Sequence, residues 1–441
     1  MSLITYIKRK NFWINDFLHG GKMWKHFKEI MFIINNPEEG EEIRKRKLSE
    51  ILEFACANTK FYSKVKSIKL SDFPVINKQI VLDNYNDFVV PVEKIPGQVG
   101  EVHVQSTSGS TGTPFKVFQD TECRIRRIAT IKAENELVGF HSYDLLMHFR
   151  ALSRHYNYGK DIVWNKQYNI IYVDNANLND ERIERIIDTI NSKKVKFIRG
   201  YVTAIDTVTM YAVEHKLSLD SHPLFISGGE MLTESLKNRI VNILNCSVVS
   251  QYANEENGVF GQSEINGCPT TMNLNRANCY IEILKLDSDE RAQKGELGRI
   301  VVTDLTNYAM PLIRYDLGDL AKIGDVTESG IMLSLESLAG RKTDMILKTN
   351  GMYVDFFNSI SGEIAHSPLF KQWQFIQNGE KEYLLNLCLQ DKSLESKKEH
   401  YIKLVKDVVG EDAVVEVKFL DEIPVLNSGK RKLIINNWKK K

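Results

Sequence analysis

Between Gln105 and Val117 the chain reads QSTSGSTGTPFKV, and six hydroxyl side chains and two glycines crowd into a segment too small and polar to be core. Ser106, Thr107, Ser108, Ser110, Thr111 and Thr113 can donate to the oxygens of a polyanion. Gly109 and Gly112 carry no Cβ to hold such an anion away from the backbone N–H groups. This is phosphate-binding chemistry without a Walker A loop, because Gly112 is followed by Thr113 and Pro114 rather than by Lys and a hydroxyl residue. A flexible Ser/Thr/Gly linker is the competing reading. Val102 and Val104 alternate before the segment, and Phe115 and Val117 after it, which predicts a hairpin-like turn.

The elements that must hold such a loop follow from periodicity. Apolar residues at helical spacing in LSEILEFACANTKFYSKV put Leu48, Ile51, Leu52, Ala55 and Cys56 on one inward face, and the first hundred residues read as helical. From about residue 165 strands and helices alternate. IIYV is followed by a helix begun near Asp180 with Ile183, Ile186, Ile187 and Ile190 inward, then by VKFIRGY. A helix with Ile205, Val208, Ala212 and Val213, the strand PLFIS, a helix around Leu236, Ile240 and Ile243, and the strand CSVVSQY continue the pattern. Repeated strand–helix–strand units predict a largely parallel sheet whose ligand sites lie at the carboxyl ends of its strands. The two most polar exits are SGGE and QYANEENG.

Between Tyr280 and Asp304 the period changes to two, in YIEILKL and GRIVVTDL, as in an antiparallel β-rich subdomain. After GRKTD come strands WQFIQ and EYLLNLCL, a charged helix from about Leu394 to Val409, and the strand AVVEVKFL. The expected organisation is thus α/β: a large domain over residues 1–340 and a small α+β domain over 341–441, with the boundary near Gly340.

Composition narrows the function classes. At 441 residues, 58 Lys plus Arg balance 57 Asp plus Glu, so no broad field favours nucleic acid. Six cysteines without CxxC pairs argue against a zinc ribbon and a disulfide scaffold and fit a reducing cytoplasm. Near the basic IKRK the apolar stretches, such as Ile30 to Ile34, are too short for a signal segment or a membrane span, so no membrane insertion is expected. Cys268 and Cys279 have no close His after them, and no metal site is expected there.

Six motifs in order resemble the adenylate-forming enzymes, specifically the branch of phenylacetate–coenzyme A ligase and CapK-like proteins. They are STSGSTGTP, SGGEML, YANEENG, YDLGD, GRKTD and a late NSGK, spread over more than three hundred residues. EILEFACANTKFYSKV and FPVINKQIV also resemble the amino-terminal region of this branch. The resemblance implies a large AMP-binding domain, a small mobile lid domain, and ATP-dependent adenylation of a small carboxylic acid with Mg²⁺. Transfer of the acyl group to coenzyme A follows narrowly ahead of transfer to an amine, a hydroxyl or a carrier. Polysaccharide or secondary-metabolite synthesis is the implied setting for the latter.

Such a reaction brings an anion to the α-phosphate of ATP and expels pyrophosphate, so the site must hold a polyanion and neutralise charge as it develops. By resemblance, Ser108, Gly109, Ser110, Thr111, Gly112 and Thr113 hold the β- and γ-phosphates. Glu256 is the Mg²⁺ ligand and Tyr252 stacks on adenine. Ala253 stands where the family has glycine, and Glu255 where it has a hydroxyl residue, so a second acid faces phosphate unless it points away or shares the metal. Solvated loop acids are the alternative. Asp319 matches the carboxylate that accepts from both ribose hydroxyls, with a turn aspartate after Gly318 as the alternative. Arg341 matches an arginine reaching ribose or phosphates, Asp344 the hinge, and Gly228, Gly229 and Glu230 the wall beside adenine.

Lys430 in IPVLNSGKRKL matches the late catalytic lysine, whose flexible stem suits a group that enters for one step and leaves for the next. A solvated basic tail with Arg431, Lys432 and Lys439 to Lys441 is the alternative. Gly351 in TNGMYVD matches the glycine lining a coenzyme A channel, and Phe115 stands where many members keep a lysine. The acid is expected to lie among residues 140–158 and the strand exits near Ser227, where His148, Arg150, Arg154 and His155 could pair with a polar or anionic acid, whereas a phenylacetate-like pocket would be mostly apolar. A core or surface role is the competing reading for each of the four. A nucleotide-binding scaffold without catalysis is the rival class, kept open by Ala253 and Glu255.

Overall fold

A computed structural model describes residues 3–106, 115–150, 161–176, 178–354, 364, 369–424 and 431–438. Its centre is a twelve-stranded sheet. From one edge its strands are Cys279–Leu284, Leu297–Asp304, Tyr315–Ile323, Ser334–Arg341, Met272–Leu274, Gly258–Gln262, Ser247–Asn254, Leu224–Gly228, Phe197–Tyr201, Leu146–Arg150, Ile170–Asp174 and Ile162–Asn165. The five strands from Ser247–Asn254 to Ile170–Asp174 are mutually parallel, and the remaining pairings are antiparallel. The expected parallel sheet and the expected β-rich subdomain are therefore one continuous surface. The strand Leu146–Arg150, read from sequence as pocket-lining chain, lies inside the parallel half between Phe197–Tyr201 and Ile170–Asp174.

Alternation decides the two faces of the parallel half. Met147, Phe149, Ile171, Val173, Ile198, Phe225 and Val248 face a core with helices Asp180–Lys193 and Val202–Glu214, whose Ile183, Ile186, Ile187, Ile190, Ile205, Val208 and Ala212 are buried there. Leu146, Phe197, Leu224, Ile226 and Val249 face the other side with Phe140. That side also receives the helix Thr121–Leu137, begun by the Asp120 side chain accepting from the Cys123 N–H at 2.7 Å.

The amino-terminal region is helical to Asn58, in helices Leu3–Leu18, Lys22–Asn35 and Pro37–Asn58, and then irregular apart from the short helices Lys78–Asp83 and Tyr85–Phe88 and three single turns. The expectation of helix over the first hundred residues is corrected there, because FPVI and its neighbours serve as packing chain. Phe73 and Ile76 are buried in the main core, and the Ile76 N–H donates to the Arg314 carbonyl at 3.0 Å. The helix around Leu236 is also shorter than its periodicity implies. An α-helix Glu234–Asn238 widens into a π-turn over Arg239–Ile243, which leaves Ile243 62 % exposed.

His103–Ser106 and Lys116–Gln119 pair antiparallel, so the expected hairpin carries the Ser/Thr/Gly segment between its strands. Beyond Arg341 a separate core forms around a four-stranded sheet in the order Val414–Phe419, Glu382–Leu389, Phe370–Gln377 and Ile434–Asn436. It is backed by the helix Lys398–Val409, whose Tyr401, Val405 and Val409 face inward. All six cysteines are free thiols.

Candidate functional site

Three chain segments meet where the parallel and antiparallel halves of the sheet join, and two of them do so through local irregularities. The pairing of Ser247–Asn254 with Gly258–Gln262 slips between Tyr252 and Ala253. The pairing of Leu297–Asp304 with Tyr315–Ile323 slips between Asp316 and Leu320, opposite Arg299 and Val301. Leu317, Gly318 and Asp319 thereby bulge out of the ladder, with Gly318 at φ +74°, a conformation glycine adopts without a Cβ clash.

The bulge brings Asp319 to the Tyr252 hydroxyl, which donates to Asp319 Oδ2 at 2.8 Å. Arg341 is the cross-strand partner of Asp319, with its Nε 3.7 Å from Oδ1. Burial raises the Asp319 carboxyl above the usual range, opposed by the Arg341 charge and the Tyr252 hydrogen bond. Burial also pushes the Tyr252 phenol well up, and the nearby Asp319 charge adds to this, so the hydroxyl stays protonated and remains a donor. The Tyr252 ring is 5.1 Å from that of Phe260, which steadies its plane.

Glu255 and Glu256 leave the same strand and diverge. Glu255 is exposed, and its Oε2 accepts from Gln105 Nε2 at 2.6 Å, at the foot of the hairpin. Glu256 is half-buried, and burial raises its carboxyl despite the charges of Lys78 and Arg341 nearby. The question of how two adjacent acids share this loop is answered by that divergence: one is tied to the hairpin stem, the other is not. Among the described residues no group of three metal-ligating side chains occurs. A divalent ion here would rest on Glu256 and on phosphate oxygens, which is a donor set Mg²⁺ accepts because it retains much of its water. The residues present fit that ion.

Two participants escaped the sequence reading. Arg127, on the helix Thr121–Leu137, donates to the Glu255 carbonyl at 3.0 Å and to the Glu256 carbonyl, and approaches Asp304 at 3.4 Å. It fixes the backbone of the acidic turn. The cap signal at Asp120 followed by a run of helix formers would have located its helix. Lys78, from FPVINKQIV, stands 6.0 Å above the Phe115 ring. A cation thus approaches the position where the family keeps a lysine, carried by a different segment of the chain.

The remaining wall residues divide. Gly228 ends its strand and Gly229 follows at φ +76°, turning the chain away beside Gln251. Glu230 faces elsewhere: its carboxylate accepts from the Thr203 N–H at 2.9 Å, the Thr203 hydroxyl at 2.7 Å and the Arg431 N–H at 2.8 Å. Ala253 is exposed at the slip beside Tyr252. Asp344 ends a short turn over Lys342–Asp344, and both its oxygens lie 3.3 Å from Lys432 Nζ. Gly351 is at the tip of the small hairpin joining Ile346–Leu347 and Tyr353–Val354, at φ +82° with open space around it. Ser108, Gly109, Ser110, Thr111, Gly112, Thr113, Arg154, His155 and Lys430 lie outside the described residues.

The two residues after Lys430 are described, and they are not a solvated tail. The Arg431 side chain is only 8 % exposed, and its Nη1 is 3.4 Å from Asp206 Oδ2 on the helix Val202–Glu214. Its Nε donates to the Ile423 carbonyl at 3.0 Å. Arg431 and Lys432 therefore bracket the start of the last strand between the large sheet and the turn at Asp344.

Comparison with known proteins agrees with this architecture. Residues 350–437 match the family model of the CapK C-terminal domain. The chain is 21 % identical to Protein CapK of Staphylococcus aureus, over 94 % of this chain and 93 % of that one. It is 25 % identical to the phenylacetate–coenzyme A ligase of Pseudomonas putida, over 63 % of this chain and 62 % of that one. A crystal structure of 2-hydroxyisobutyryl-CoA ligase in the postadenylation state, in complex with 2-HIB-AMP, superposes with a TM-score of 0.70 at 16 % identity over 90 % of this chain and 89 % of that one. The ordered motifs, the fold and these relatives together make the chain similar to the adenylate-forming enzymes, and to the CapK-like proteins among them.

Proposed function

We propose that the protein activates a carboxylic acid with ATP as an acyl-adenylate and passes the acyl group to a second substrate, coenzyme A in the first instance. The observation that carries this reading is the half-buried Tyr252–Asp319 hydrogen bond of 2.8 Å with Arg341 beside it. It holds the Asp319 carboxylate as an acceptor for a ribose, next to Glu256 and to the stem of the hydroxyl-rich hairpin. Asp319 would accept from the ribose hydroxyls, the Tyr252 face would carry the base, and the hairpin segment 108–113 would hold the outer phosphates.

In the first step a carboxylate oxygen attacks the α-phosphorus, and the bond from that phosphorus to the bridging oxygen breaks. Pyrophosphate leaves with the electron pair. A bound Mg²⁺ would neutralise phosphate charge at Glu256. Arg341 and Lys430 would supply cationic stabilisation where charge develops. In the second step a nucleophile, the thiol of coenzyme A or an amine or hydroxyl, attacks the acyl carbon. The bond to AMP breaks and the nucleophile's proton passes to solvent. The small domain over residues 341–441 would turn about Asp344 between the steps, withdrawing Lys430 and presenting the Gly351 hairpin to the acceptor. The CapK relative spans nearly the whole chain, whereas the ligase match spans under two thirds of it. That difference supports an amine, hydroxyl or carrier as the second reading for the acceptor.

The test is pyrophosphate release with ATP and Mg²⁺ over a panel of aromatic, aliphatic, amino and sugar acids, each with and without coenzyme A. Release that depends on one acid is expected, falling about 10²- to 10³-fold in Glu256→Gln and in Lys430→Ala, the range for loss of a transition-state charge contact. ATP binding without release from any acid would replace this reading with the nucleotide-binding scaffold. Equal release by wild type and Lys430→Ala would remove that lysine from the first step.

A further inference from the structure

We infer that the acid bears, besides the carboxylate that reacts, a second anionic group, and that Arg199 receives it. This rests on the adenylation reading and names the substrate class for the same site. The register of the parallel strands sets the geometry. Arg199 pairs across with His148 on one side and Ile226 on the other, and His148 pairs with Tyr172. Register partners in a parallel sheet share a face. Two residues later along the same strands the next layer is Tyr201, Gly228, Gln251, Arg150 and Asp174. That layer ends at the candidate site: the Tyr201 phenol feels the charges of Glu255, Glu230 and Arg150.

Arg199 is therefore one layer deeper than the strand exits, about 6.6 Å along the strand at a rise of about 3.3 Å per residue. Beneath it an apolar layer of Phe197, Leu146, Leu224 and Phe140 closes the face. Ser227 points to the opposite face, where it is fully buried and bonds the Val249 carbonyl, so it takes no part.

Arg199 is an unusual side chain to find in this place. Its Nη2 donates to Asn135 Oδ1 at 2.6 Å, a neutral partner. Its Nε is buried with no hydrogen-bond partner. Glu134, the acid whose charge acts on Arg199, accepts from Asn275 Nδ2 at 2.8 Å, and it forms no ion pair with Arg199 among the described residues. Burial and the neighbouring guanidiniums of Arg199 and Arg150 push the His148 imidazole down to about 3, so it stays neutral and adds a hydrogen-bonding group rather than a third charge. A half-buried guanidinium whose buried Nε–H has no partner among the described residues, beside a second Arg and a neutral His and one layer below the strand exits, matches a short dicarboxylate or a similarly sized acid with a phosphoryl or sulfonyl end. An aliphatic or aryl tail would leave that N–H buried and unmatched.

The experiment compares pyrophosphate release for succinate and glutarate with butyrate, valerate and phenylacetate, using the full chain, ATP and Mg²⁺, in wild type, Arg199→Met and Arg199→Lys. Wild type is expected to prefer a diacid over the monoacid of equal length by at least about tenfold in kcat/KM, the loss on leaving one buried charge unmatched. Arg199→Met is expected to reverse that preference, with the change in KM exceeding that in kcat, and Arg199→Lys to retain part of it. Release with phenylacetate or valerate but not with diacids would overturn the inference while leaving adenylation intact. Lowered thermal stability of Arg199→Met with an unchanged substrate order would reduce Arg199 to a tether for the helix Thr121–Leu137. Release from no acid at all, in a protein that binds ATP, would overturn the adenylation reading and this inference together.

Discussion

Replacing Arg431 with Met should slow the first chemical step and leave the second untouched. The guanidinium spans the two parts of the chain, 3.4 Å from Asp206 on the helix Val202–Glu214, with both side chains nearly buried at 8 % and 13 % exposure. Asp206 is not stranded by the loss, because Arg239 Nη1 remains 2.6 Å from its other oxygen. Besides the bonds of Arg431 to Ile423 and Glu422 on its own side, the substitution removes one charge-assisted contact between the two parts without orphaning Asp206, and that contact is worth about 1.5–3 kcal/mol. At about 1.4 kcal/mol per factor of ten, the ratio of this closed arrangement to open ones falls roughly 10- to 100-fold, which is the ceiling on the loss of rate. Since Lys430 adjoins Arg431, pyrophosphate exchange should fall by up to that factor. Transfer from a preformed acyl-adenylate to the acceptor should keep its rate, and ATP affinity should not move. Lys371→Ala is the internal control: its contact with Glu214 also crosses between the two parts, but the side chains are 31 % and 40 % exposed. An exposed pair contributes about 0–1 kcal/mol, so its effect should stay within about fivefold. Equal loss in both half-reactions, or a Lys371→Ala effect as large as that of Arg431→Met, would refute the role of the Arg431–Asp206 contact in closure.

Tyr252→Phe keeps the aromatic face but removes the donor to Asp319 at 2.8 Å, leaving that carboxylate short of a partner until ribose arrives. KM for ATP should rise about 10- to 100-fold, for about 1.5–3 kcal/mol, while kcat changes little, as equilibrium binding of ATP will show. Glu134 gives a pH test. Burial raises its carboxyl from 4.5 to about 7. The folded state thus binds this proton more tightly than the unfolded chain, so its contribution to stability is full below pH 4.5 and is lost as pH rises through about 7. Glu134→Gln should flatten that decline. Denaturant unfolding at pH 5 and pH 8 should show wild type losing on the order of 3 kcal/mol relative to the variant, at about 1.36 kcal/mol per pKa unit. No difference in slope would show that Arg199 holds Glu134 ionised throughout.

The parallel half of the sheet was legible because its signal is local. Ile183, Ile186, Ile187 and Ile190 repeat at helical spacing, and burial of that stripe is the only way the helix can shed its apolar face. The hairpin, the strands beyond Arg341 and the polar strand exits follow from the same short-range patterns. The helix Thr121–Leu137 was not read, since its buried side mixes Cys123, Arg126, Thr130 and Glu134 with alanines and so carries little apolar contrast. The strand Leu146–Arg150 was hidden for a similar reason: His148 and Arg150 interrupt the apolar run that marks a central parallel strand.

The site itself divides along the same line. Residue types at Tyr252, Glu256, Asp319 and Arg341 were recognisable from their motifs, but nothing in YDLGD states that a slip in register lifts Asp319 to the Tyr252 hydroxyl. Likewise the sequence alone could not part the side chains of Glu255 and Glu256, nor set Glu230 against Thr203 and Arg431. Those assignments depend on contacts between residues tens to hundreds of positions apart, such as Arg199 with Asn135 and Arg431 with Asp206. Periodicity records which face of an element is buried; only the packed sheet decides which polar groups meet there, because each such meeting is a balance between desolvation and a partner that another segment must deliver.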